Sequence, residues 1–187
     1  SGVDAYGNAA DVGTITWSVS GGIGTINSSG LFTATTASTG TVTATSSIGS
    51  ISDASGTITV NPGPLAVLTV SPNTATLEAG ATQQFTVSGA DAYGNAVDVG
   101  TITWSVAGGI GTINSGGLFT ATTEDTGTVT ATSSIGGISD ASGTITVGPG
   151  VLAALTVSPD TATLAAGATQ QFTVSGVDAS GNAADTG

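Results

Sequence analysis

The phrase SGVDAYGNAADVG at residues 1–13 returns as SGADAYGNAVDVG at Ser88–Gly100 and as SGVDASGNAADTG at 175–187. Trp17 and Trp104 keep the same spacing, as do Phe85 and Phe172 and the LTVSP starts at Leu68 and Leu155: a period of 87 residues. Residues 1–61 differ from residues 88–148 at eight positions only, namely 3, 10, 20, 29, 37, 38, 50 and 61. Close copies at a fixed period mark an array, and this constrains the fold more than any other feature of the chain. A unit of 87 residues is also long enough to bury a core of its own.

Proline and glycine place the boundaries. They cluster in VNPGPLA (Val60–Ala66) and VGPGVLA (Val147–Ala153), the composition of exposed connections between domains. The expected organisation is therefore the C-terminal part of a domain over residues 1–61, a complete domain over 65–147, and the N-terminal strands of a third over 150–187. Linkers are expected near 61–64 and 148–151.

Within one period the signal alternates every second residue. TITWSV sets Ile102, Trp104 and Val106 against Thr101, Thr103 and Ser105, and QQFTVSG sets Phe85 and Val87 against Gln84, Thr86 and Ser88. GTVTATSS and SGTITV alternate in the same way around Val129 and Ala131 and around Ile145 and Val147. Such patterns suit antiparallel sheets with one dry face, and Gly, Asn and Asp punctuate them every eight to twelve residues. No segment carries a helical period. The expected fold is all-β: tandem Ig-like antiparallel β-sandwiches with about seven strands per repeat.

Composition excludes whole classes of function. The chain has no Lys, Arg, His, Cys or Met, and twelve acids give it a formal charge of −12. Without basic side chains it cannot neutralise phosphates, so no nucleic acid is expected as partner. Attraction to an anionic membrane surface fails for the same reason. There is no imidazole or amine base, no thiol nucleophile, and no nitrogen or sulfur metal ligand. Paired carboxylates can cleave glycosides, but the one adjacent pair, Glu124–Asp125, is Ala37–Ser38 in the earlier copy. No enzyme is expected. No run of eighteen apolar residues is present to span a bilayer, and no basic-then-apolar leader opens the chain, so an internal or mature segment of something longer is expected. Only 6% of residues are charged and mean hydropathy is +0.37, which argues for a folded chain.

The stretches LTVSPNTATLEAGATQQFTVSG, ITWSV, GLFTATT, GTVTATS and GTITV together resemble the bacterial Ig-like domains, particularly those of group 2. That family builds tandem stalks in intimin- and invasin-like adhesins and other prokaryotic surface proteins. The resemblance implies a sandwich fold and an extracellular, cell-surface setting, and it carries no catalytic residues over. The absence of basic residues departs from commoner members and favours a spacer or fibre unit over a ligand-binding tip.

Several residues are candidates for more than packing. Asp91, Asn95 and Asp98, repeated as Asp4, Asn8 and Asp11 and again as Asp178, Asn182 and Asp185, offer oxygens of the kind Ca²⁺ takes, though three side chains are fewer than the six to eight ligands it wants. The plainer reading is an Asp-capped Gly-Asn turn. No other cofactor is expected. Trp17, Trp104, Phe85 and Phe172 sit at inward positions and are assigned to cores, Trp17 and Trp104 in preference to sugar-stacking platforms. Asn27 opens an N-x-S sequon in NSS that Asn114 does not repeat. Rows of outward Thr raise an ice-matching face, but sheet twist of about 20° per strand spoils a flat lattice, and Thr is what a solvated strand selects anyway.

The leading expectation is a structural segment of an extracellular prokaryotic fibre, filament or adhesin stalk. Its partners would be other copies of the repeat, in tandem or by head-to-tail strand complementation. The alternative is an adhesin module that binds glycan or host protein, for which Tyr6 and Tyr93 are the aromatic loop candidates.

Overall fold

The computed structural model describes residues 2–186, and these contain strands, turns and no helix. They divide into two compact units: residues 2–66 with 90–97, and residues 67–89 with 98–186. The chain leaves the first unit after Ala66, returns to it at Ala90 and leaves again after Val97. The phrase that the 87-residue period assigns to the second repeat is thus folded into the first unit.

The second unit contains the full set of strands of one repeat. Val67–Ser71 pairs with Thr86–Ala90. A larger sheet runs in the order Ala75–Glu78, Ile145–Gly148, Asp125–Ser133, Ile102–Ala107, with Ser139–Ala141 also on Asp125–Ser133. A third sheet holds Thr82–Gln84, Leu118–Ala121 and Gly111–Ile113. All these pairs are antiparallel among those whose register is defined, except Ala75–Glu78 with Ile145–Gly148, which is parallel. The all-β, Ig-like expectation stands, with this one parallel pair inside it. A parallel pair needs a long connection between its strands, and the intervening residues of the repeat supply it.

Ten strand segments stand where about seven were expected, because the chain changes sheets partway along strands. QQFTV is the clearest case: Thr82–Gln84 pairs with Leu118–Ala121, whereas Thr86–Ala90 pairs with Val67–Ser71. Phe85 sits at the switch, its N–H donating to the Gly117 carbonyl at 2.8 Å. Its ring meets Phe119 edge to face, with centroids 6.2 Å apart and planes at 82°.

Around this pair lie Leu68, Val70, Ile110, Val129, Ala131, Ile145 and Val147, all buried. These are the inward positions of the two-residue alternation, and roughly 25 cal/mol per Å² of apolar surface removed from water makes their burial the main stabilising contribution. Ile102, Trp104 and Val106 are half-buried, while Thr103 and Ser105 face solvent. Trp104 lies over Gly117, whose φ is +81°; a Cβ built there would stand 2.5 Å from the Phe85 carbonyl oxygen and 3.0 Å from the indole Cζ2. Only glycine tolerates both that backbone conformation and that approach.

The first unit repeats the later part of this arrangement. Ile15–Val19 pairs with Val42–Ser46, which pairs with Ser52–Ala54; Gly24–Ile26 pairs with Phe32–Ala34, and Ser38–Gly40 with Ile58–Val60. Its Ile23 is fully buried, like its counterpart Ile110, whereas Phe32, Val42 and Ala44 are only half-buried where Phe119, Val129 and Ala131 are wholly covered. Trp17, Ala44, Ile51 and Asp53 line an open hollow of about 330 Å³. In the second unit the corresponding side of the sheet carries Val67–Ser71, whose Val70 N–H donates to the Asp140 carboxylate at 2.7 Å.

The last strands, Leu152–Ser158, Thr173–Asp178 and Ala183–Ala184, form a small antiparallel sheet. Phe172, expected in a core, is 47% exposed there, whereas its counterpart Phe85 is 1% exposed. The difference lies in cover: Phe119 from the same repeat packs on Phe85, and no strand of that kind follows Phe172 in these residues.

Candidate functional site

The most elaborated polar site is the D-A-x-G-N turn. In the copy at Asp91–Asn95 the Asp91 Oδ1 accepts the N–H groups of Tyr93 (2.8 Å) and Asn95 (2.9 Å). Its Oδ2 accepts the Asn95 Nδ2 (2.8 Å) and the Gly63 N–H (2.7 Å). Asp91 is 3% exposed. A carboxylate offers about four lone-pair directions, and here each meets an N–H donor. The sequence dictates this locally: Asp side chains bond the backbone two residues on, and Gly94 takes φ +84° to close the turn.

Asn95 extends the network beyond its own turn. Its Nδ2 donates to the Thr35 carbonyl at 2.9 Å, and its Oδ1 accepts the Ala37 N–H at 2.8 Å. All of these groups belong to the first unit. The second unit contains the same constellation 87 residues on. Asp178 accepts Ser180, Asn182 and Gly150, and Asn182 bonds the Thr122 carbonyl (2.9 Å) and the Glu124 N–H (3.1 Å). Asp4 forms the turn alone: its Oδ1 accepts Tyr6 and Asn8, both at 2.9 Å, and the carboxylate is exposed.

These bonds set the charge state. The Asn95 amide, aided by the N–H groups of Gly63, Asn95 and Tyr93, lowers the Asp91 pKa from 3.8 to about 2 against the opposing effect of burial. Asn182 does the same for Asp178, again to about 2. The Asp4 pKa is also lowered, chiefly by the Asn8 side chain.

The remaining candidates take no part in the Asn95 and Asn182 side-chain contacts. Asp11 and Asp98 each cap the N–H two residues on, that of Gly13 and of Gly100, at 2.9 Å. Among the described residues no group of three or more Asp or Glu side chains comes together. Asn27 is exposed, and its Oδ1 accepts the N–H groups of Ser29 and Leu31 and the Ser29 hydroxyl. Tyr6 and Tyr93 are 91% and 66% exposed at the tips of their turns. What the sequence could not announce was the reach of Asn95 and Asn182. Thr35 and Thr122 lie sixty residues earlier and contribute backbone groups, which carry no sequence signal.

Residues 65–145 match the model of the bacterial Ig-like domain (group 2). Ice-binding protein 1 of Shewanella frigidimarina (strain NCIMB 400) is 29% identical over an alignment of 185 residues that covers 96% of this chain and 20% of that protein. The chain thus spans about a fifth of that relative. Among solved structures, domains 4 and 5 of the S-layer protein SbsC superpose with a TM-score of 0.38 at 19% identity, covering 78% of each chain. Domains 1–6 of the same surface layer protein give 0.33 at 22% identity, over 97% of this chain and 26% of that one. The stretch that matches the bacterial Ig-like domain (group 2), residues 65–145, is the one that holds the sandwich core around Phe85 and Phe119.

Proposed function

We propose that this chain is a structural segment of an extracellular prokaryotic surface fibre, filament or adhesin stalk, built of Ig-like repeats and without catalysis. The observation that carries the reading is the interchangeability of the repeats. Sixty-one consecutive positions recur with eight changes, and the glycines that shape the turns are kept at both Gly30 and Gly117. Repetition of one self-sufficient unit lengthens a protein, whereas binding domains diverge from their spacers. The match of residues 65–145 to the bacterial Ig-like domain (group 2) supports the same setting.

The natural partner is another copy of the repeat, with residues 65–147 as one bead. Tandem connection along a single chain is the first form. Head-to-tail strand complementation is the second, favoured by one specific pattern: Leu155, Val157 and Phe172 are 59%, 53% and 47% exposed, while Leu68, Val70 and Phe85 at the same places of the middle repeat are 4%, 3% and 1% exposed. Residues 1–61 of another copy carry the strands that cover those positions in the middle repeat.

Light scattering on the 187-residue chain, with negative-stain imaging beside it, separates the two. A monomer supports tandem connection alone, and head-to-tail strings support complementation. A glycan array and cell binding then test the structural reading itself. Saturable binding that is lost in Tyr6→Ser/Tyr93→Ser would make the chain an adhesin module and overturn it.

A further inference from the structure

We infer that the D-A-x-G-N turn is a docking element that seats the phrase carrying it on the backbone of the repeat before it in the chain. The inference goes beyond the fibre reading and does not depend on it. Three observations carry it. First, the two docked copies make the same three contacts outside the turn's own residues with different neighbours: Asn95 with Thr35 and Ala37 and Asp91 with Gly63, then Asn182 with Thr122 and Glu124 and Asp178 with Gly150. Second, the Asp4 copy has the same turn, with Asp–backbone distances within 0.1 Å of those at Asp91, so the turn's own bonds are a property of its local residues.

Third, the partner is read through its backbone. The recognised groups are a threonine carbonyl, the N–H two residues on, and the N–H of the glycine that follows a linker proline. Proline has no N–H to offer, so Gly63 and Gly150 present the first donors after Pro62 and Pro149. Two of the eight differences between the copies, Ala37–Ser38 against Glu124–Asp125, fall right at the recognised stretch. The bonds persist across them because no side chain there is contacted. The asparagine cannot be replaced in kind: its amide donates to one carbonyl and to the aspartate while its oxygen accepts, a combination neither Asp nor Ser supplies.

The test is amide hydrogen exchange on the full 187-residue chain, with Asn95→Ala, Asn182→Ala and Asn8→Ala. Docking predicts a crossed pattern. Asn95→Ala lowers protection at Ala37 and Gly63 at least tenfold and leaves Glu124 and Gly150 unchanged, Asn182→Ala does the reverse, and Asn8→Ala moves neither pair. Unprotected Ala37 and Gly63 amides in the parent chain would overturn the inference. So would an Asn95→Ala chain in which every amide of residues 2–66 loses protection equally, because the turn would then be part of the fold and no docking element. Neither outcome bears on whether the chain forms strings or binds a glycan.

Discussion

The Val70 N–H donates to the Asp140 carboxylate at 2.7 Å across 70 residues of chain, and this side chain takes the place of a ladder partner at the edge of Ser139–Ala141. Val70 is 3% exposed, so its N–H has no water to turn to. Asp140→Ala is expected to destabilise the second unit by about 1–3 kcal/mol, the cost of leaving a buried donor unsatisfied. Asp53→Ala, at the matching place of the first unit, is expected to change stability by less than about 0.5 kcal/mol because Asp53 is exposed. Denaturant unfolding of both variants checks the pair.

Phe85 and Phe172 share the sequence QQFTVSG and differ in cover. Phe85→Ala removes a wholly buried ring from its contact with Phe119 and is expected to cost about 3–5 kcal/mol. Phe172→Ala should cost under about 1 kcal/mol in a monomeric chain. A large loss for Phe172→Ala in dilute solution would mean that something covers that ring.

Gly94 and Gly117 separate backbone strain from steric conflict. Both have positive φ, +84° and +81°, but a Cβ at Gly94 would meet nothing within 4 Å. Gly94→Ala is therefore expected to cost about 1–2 kcal/mol from the backbone alone. Gly117→Ala adds a clash with the Phe85 carbonyl and the Trp104 ring. It should cost more than about 2 kcal/mol and perturb Trp104 fluorescence, which Gly94→Ala leaves untouched.

The turn carboxylates predict an acid transition. Asp91 and Asp178 titrate near 2 when folded and near 3.8 when unfolded, so the unfolded chain binds their protons first as pH falls. Their contribution to stability is full above about pH 4, is lost progressively as pH falls toward about 2, and is gone below that. Thermal melts at pH 7, 4, 3 and 2 should show the fall, and Asp91→Asn/Asp178→Asn should flatten it. An unchanged slope in that double variant would assign the acid sensitivity to other groups.

Much of this architecture was legible because it is written in local chemistry. Alternation of Val, Ile, Phe and Trp with Thr and Ser placed Val129, Ala131, Ile145 and Val147 on inner faces, since side chains on a strand alternate by necessity. The Asp and Gly of D-A-x-G-N specified a turn for the same reason, as the bonds that make it span four residues. The number of strand segments and the parallel pair at Ala75–Glu78 were not legible. They depend on where the chain switches sheets, which the alternation of one strand does not record.

The sequence by itself determined the period, the all-β class, the turns and which face of each strand is apolar, because each of these depends on residues a few positions apart. Only the tertiary structure decided what those faces and turns meet. The same seven residues bury Phe85 and expose Phe172, and the same turn stands alone at Asp4 and is locked at Asp91. Identical segments acquire different burial, bonding and acidity because these are properties of the neighbours, and the neighbours come from tens of residues away.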